Sequence, residues 1–180
     1  MVTEMGFWRR GVLLACIALL CGAGEIAVRA ADTARSPDEA YLDALQGTWT
    51  MAGTLRGKPV RYVADGQRVL QGGFVKLHMM DGDSRPPYEA DVFIGFDAKA
   101  NDYIAHWLDR FGAPGARVVA KGDRHGPQLV LIFPYAEGAF RDTLTWQPAT
   151  GTWSLLLESK ETDGSWSIFA NYSLTHRAPP

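Results

Sequence analysis

Asp142 shares the parity of Leu144 and Trp146 in the alternating run 140–147, a pattern that puts a carboxylate on the inner face of a strand. Such a carboxylate needs a partner, and Arg61 or Arg68 could supply it. Coupled instead to a histidine, Asp142 or Asp109 would make an acid–base pair suited to a hydrolase or isomerase site. The four histidines, His78, His106, His125 and His176, do not form a pattern. No two stand at metal-ligand spacing, and a zinc site would need three to converge from separate strands. Asp97, Asn101 and Asp102 gather oxygen-bearing side chains, but the central glycine and terminal glutamate of an EF-hand loop are missing. Asx hydrogen bonds within a turn account for them. Gly-x-Ser-x-Gly, Ser-x-x-Lys and phosphate-cradling glycine loops are absent. These patterns assign no catalytic residue, no metal and no cofactor.

The elements that must carry these residues begin behind a leader. Arg9 and Arg10 precede a charge-free stretch, 11–24, and Val28-Arg29-Ala30 offers small residues at the positions a signal peptidase reads. The chain is therefore expected to be exported, periplasmic or extracellular, with residues 1–30 removed, and to meet a membrane only through that signal. Both cysteines, Cys16 and Cys21, leave with the leader, so the mature form has neither disulfide nor thiolate chemistry. The 180 residues carry 18 basic and 20 acidic groups; loss of Glu4, Glu25, Arg9, Arg10 and Arg29 leaves 15 and 18. That balance speaks against nucleic acid as a partner.

Residues 31–46 read as a flexible lead and one helix. Ser36-Pro37-Asp38-Glu39 combines a serine cap, a first-turn proline and the glutamate of a capping box, and about three turns are expected before Gly47 stops them. From there to residue 180 runs rich in β-branched and aromatic residues alternate with turn chemistry. The runs are 48–54, 60–64, 68–70, 74–80, 89–96, 103–109, 117–121, 128–133, 140–147, 153–160 and 166–177. Turns are marked at Asp65-Gly66, Asp81-Gly82-Asp83, 97–102, 112–115, His125-Gly126-Pro127, Glu137-Gly138, Thr150-Gly151 and Asp163-Gly164. Connections this short force antiparallel pairing and predict a meander of about ten strands. One inner face per strand, as with Trp153, Leu155 and Leu157 or with Ile168, Ala170, Tyr172 and Leu174, suits a closed up-and-down barrel. The expected fold is all-β, an antiparallel barrel of the lipocalin-like type with a short N-terminal helix across one end.

A set of motifs gives this expectation a second footing. Leu45-x-Gly47-x-Trp49, Gly72-Gly73-Phe74, Phe93-Ile94-Gly95-Phe96-Asp97, Tyr103-Ile104-Ala105-His106-Trp107-Leu108-Asp109, Gly122-Asp123, Arg141 and Tyr172-x-x-x-x-Arg177 occur in that order. Together they resemble the lipocalin-like family known as domain of unknown function 1579, over roughly 45–177. The resemblance implies a small calycin-type barrel, often secreted, without an established activity, and it implies no catalytic residues. Lys76 and His78 match no family position, and the spacing from Tyr172 to Arg177 is longer than the family ending. Gly47-Thr48-Trp49 and His176 also echo the haem-binding nitrobindin-like barrels, too briefly for haem to be assigned.

Aromatic residues on nearly every strand, among them Trp49, Tyr62, Trp107, Trp146, Trp153 and Tyr172, must fill or line the interior. The residues expected to line a cavity or close the barrel are Trp49, Tyr62, His106, Trp107, Asp142, Trp146, Tyr172, His176 and Arg177, with Arg177 covering the Trp49 ring. The leading expectation is a barrel that binds a small hydrophobic or amphipathic molecule. A cavity above roughly 300 Å³ with converging polar groups would favour it. A solid interior would favour an interaction or structural module using exposed aromatics such as Phe111 and Tyr135. A His–Asp pair within about 3 Å at the mouth would favour an enzyme. Oligomeric state is not legible in the sequence.

Overall fold

The structure is a computed structural model and describes residues 35–81 and 88–177. The expected leader, both cysteines and the turn residues Gly82 and Asp83 lie outside the described residues.

Among the described residues one α-helix precedes ten strands. The helix α1 spans Pro37–Asp43; the strands are β1 Gly47–Leu55, β2 Lys58–Val69, β3 Phe74–Met80, β4 Glu89–Asp97, β5 Asp102–Asp109, β6 Val119–His125, β7 Gln128–Phe133, β8 Phe140–Gln147, β9 Thr152–Lys160 and β10 Trp166–His176. Each strand pairs antiparallel with its chain neighbours, and β1 pairs with β10 from Trp49↔His176 to Leu55↔Ala170, closing the barrel. Closure satisfies the backbone groups that an open sheet would leave at its edges.

The runs at 60–64 and 68–70 form a single strand, so Asp65-Gly66 is not a turn. Gly66 pairs opposite Gly47, and a Cβ placed on it would stand 1.9 Å from the Leu45 carbonyl oxygen. The glycine is there to admit the chain that leaves α1, not to reverse direction. A 3-10 turn over Gly115–Arg117 delays β6 to Val119. In β10 the register slips between Ile168 and Ala170, a bulge that reverses the expected facing at its start. Ile168 is consequently 64% exposed, while Phe169 turns inward.

Helix α1 is two turns rather than three, since it ends at Asp43, with Ala44 as its C-cap. Its start is as expected: the Ser36 hydroxyl accepts from the Glu39 N–H at 3.2 Å, and the Glu39 carboxylate accepts from the Ser36 N–H at 2.8 Å. So short a helix is unstable alone and is held by the barrel end it covers. Leu42 and Leu45 are fully buried there. Two indoles satisfy the carbonyls left over at its C-terminus: Trp49 Nε1 donates to Leu45 O at 2.9 Å, and Trp153 Nε1 donates to Ala44 O at 3.0 Å. Two arginines strap its flanks. Arg124 reaches Asp38 at 2.8 Å, and Arg68 reaches Asp43 at 2.7 Å and the Glu39 carbonyl.

Candidate functional site

Turns of an up-and-down meander alternate between the two ends of the barrel. The β1–β2, β3–β4, β5–β6, β7–β8 and β9–β10 connections therefore share the end opposite α1. A cavity of about 790 Å³ opens at that end. Its floor is formed by Met51, Met79 and Leu157, its walls by Val60, Tyr62, Trp107, Phe133, Phe140, Phe169 and Tyr172, and its rim by Tyr88, Phe111 and Tyr135. The interior is thus filled at the helix end and hollow at the other.

Four phenols meet in this space. Tyr62 and Tyr172 are hydrogen-bond partners with ring centroids 5.8 Å apart, and Tyr88 lies 5.8 Å from Tyr62. Tyr88 Oη accepts from Trp107 Nε1 at 3.1 Å and is also hydrogen-bonded to Asp109. Tyr135 stacks on Phe133 with its ring 7° from parallel. Burial, acting first in every case, raises all four hydroxyls above the ordinary phenol value, so they remain neutral donors.

Asp142 lies among them at 4% exposure, the one buried charged-type side chain among the described residues. Its cross-strand neighbours are Leu131 and Leu157, and its Oδ1 has no hydrogen-bond partner. Burial alone pushes its carboxyl up to about 8. Neither expected partner arrives. Arg61 is exposed on the outward parity of β2, and Arg68 is committed to α1.

The nine expected positions divide into three groups. Tyr62, Trp107, Asp142 and Tyr172 line the cavity. Trp49, Trp146, His176 and Arg177 belong to the closed end. There His176, and not Arg177, covers Trp49, with ring centroids 3.8 Å apart; Arg177 donates its backbone N–H to Thr48 O. Trp146 packs on Trp153 at 5.1 Å. His106 faces outward, bound to Ala116 O at 2.7 Å, because Tyr103, Ala105 and Trp107 take the inner parity of β5.

No histidine lines the cavity. The close His–Asp pair, His78 Nδ1 to Asp91 Oδ1 at 2.8 Å, is on the outer face of β3 and β4, where Lys76 and Glu89 join it. Asp97 caps its turn by accepting from the Lys99 and Ala100 N–H groups, as the Asx reading expects.

Tyr88, Phe140 and Phe169 are not among the expected site residues, and Tyr135, like Phe111, is expected as an exposed aromatic only in the interaction-module reading. One signal could have found the rim: Tyr88, Phe111 and Tyr135 all fall in or beside odd-numbered turns, which the meander gathers at one end.

No family model matches this chain, and no curated protein matches it. What the architecture establishes is the fold: a closed antiparallel barrel of ten strands, consistent with the calycin and lipocalin superfamily.

Proposed function

We propose that this protein is an exported lipocalin-like barrel that holds a small hydrophobic or amphipathic molecule in its cup. The observation that carries the reading is the cavity itself: about 790 Å³, walled by aromatic and aliphatic side chains, closed below by α1 and open above. Ligand sites are commonly concave, mostly apolar and about 300–1,000 Å³ in volume, with a few polar groups to fix orientation. Here those groups are the phenols of Tyr62, Tyr88, Tyr135 and Tyr172 and the carboxyl of Asp142. Export is supported by Arg9, Arg10 and the stretch ending at Ala30, and kinship with domain of unknown function 1579 by the motif order from Leu45 to Arg177.

Titration of the mature protein with the neutral dye N-phenyl-1-naphthylamine tests the reading. Saturable, one-to-one fluorescence enhancement is expected, and Val60→Trp, which fills part of the cup, should abolish it while the circular dichroism is unchanged. Enhancement that does not saturate, or that survives in the folded Val60→Trp variant, would refute cavity binding. Native mass spectrometry of protein purified gently from its host should also show a reproducible added mass.

A further inference from the structure

We infer that the cup selects an organic cation, an ammonium group on an apolar body, and that Asp142 is the residue that binds the ammonium. This inference rests on the cavity-binding reading above and names the ligand class for it.

Three features converge on a cation. The first is the buried Asp142 carboxyl, which lines the cavity and whose Oδ1 no protein group satisfies. A buried polar atom without a partner costs stability, and a ligand that supplies N–H donors removes that cost on binding. The second is the aromatic lining of the cavity. Tyr62, Tyr172, Tyr135 and Trp107 line the same space, and cations are drawn to the faces of such rings. The third is the sign of the lining. Even with Asp142 protonated, Asp81, Asp109 and Glu137 outnumber Arg56 and Lys160. Both basic side chains are engaged with rings, Arg56 4.9 Å from the centre of Phe169 and Lys160 5.8 Å from that of Trp166. A fatty carboxylate would meet Asp142 with no cation beside it.

Binding is linked to a proton. Where the free protein holds Asp142 as –COOH, the ammonium displaces that proton to solvent and leaves –COO⁻ paired with R–NH₃⁺, so charge balances. Proton release should be nearly complete at pH 6 and fade above about pH 8, the value to which burial pushes this carboxyl. The phenols that feel Asp142, Tyr172 from β10 and Tyr135 from the β7–β8 turn, are raised by burial and keep their protons throughout, as does Tyr62 of β2 on the same lining. Asp109, Asp81 and Glu137, with Arg56 and Lys160, stand on the remaining wall and rim.

The test compares decylamine, 1-decanol and decanoate, which share a chain and differ in head group, by calorimetry on the mature protein at pH 7. Decylamine should bind at least tenfold tighter than decanol, and decanoate weakest. At pH 6 its binding heat should differ between buffers of different ionisation enthalpy, reporting proton release. Asp142→Asn should lower decylamine affinity at least tenfold and remove the buffer dependence. Equal binding of amine and alcohol, or an unchanged amine affinity in Asp142→Asn, would overturn the assignment while leaving cavity binding intact. Failure of all three ligands would overturn both.

Discussion

The two ends of the barrel are built from the same kinds of residue and finished differently. At the closed end two aspartates of α1 meet their donors. Asp38 accepts from Tyr103 Oη at 2.9 Å and from Arg124 at 2.8 Å, and Asp43 accepts from Arg68 at 2.7 Å and Arg35 at 3.2 Å. Both buried indoles donate to the carbonyls of Ala44 and Leu45 just past α1, and the Tyr41 hydroxyl donates to the carbonyls of Pro127 and Leu144. At the open end the phenols pair with one another, Trp107 pairs with Tyr88, and Asp142 has a buried oxygen with no protein partner. An aspartate alone is therefore a poor marker of function. What distinguishes Asp142 is burial without a donor, a debt that costs stability unless something from outside settles it.

The largest effect should come from breaking the closed end. Trp49→Ala removes a fully buried ring, strands the Leu45 carbonyl and leaves His176 without its stack, and should cost about 3–5 kcal/mol in urea denaturation. A loss under about 1 kcal/mol would mean that this end is not where the fold is held.

At the open end the expected effect is a change of pH dependence. The Asp142 carboxyl moves from 3.8 to about 8 on folding. Below about pH 4 it is protonated in both folded and unfolded chains; between about 4 and 8 mainly the unfolded chain sheds the proton. Unfolding then releases a proton, and stability falls as pH rises, the loss being complete above about pH 8. Asp142→Asn should remove this dependence, gaining on the order of a few kcal/mol over wild type between pH 4 and 8. Parallel stability curves for the two proteins would show that the carboxyl is not held neutral.

The smallest effect is local to α1. Ser36→Ala deletes one arm of the capping box and should cost about 1 kcal/mol, with little change in dye uptake at the far end. A large change in uptake would show that the two ends are coupled.

Much of the barrel could be read from residue order. Alternation in Trp153, Leu155 and Leu157, turn residues such as Thr150-Gly151, and short connections together require an antiparallel meander. Local pattern and structure differ where a residue answers to a distant segment. Gly66 is small because the backbone at Leu45 passes over it, and Ile168 faces solvent because β10 carries an extra residue against β9. Part of the cup was legible: Asp142 and Tyr172 as inward parity, and Tyr62 and Trp107 as strand aromatics. Tyr88 and Tyr135 lie outside the strands and have no parity to read.

By itself the sequence determined the capped helix, the meander and the inward facing of Asp142, because periodicity and capping act over a few residues. Only the tertiary structure decided that His176 covers Trp49, that Arg68 turns to α1 and away from Asp142, and that the aromatics fill one end while leaving the other hollow. Those outcomes depend on which side chains closure brings to the same height in the barrel. Closure joins residues more than a hundred positions apart, such as Trp49 and His176, which local periodicity cannot relate.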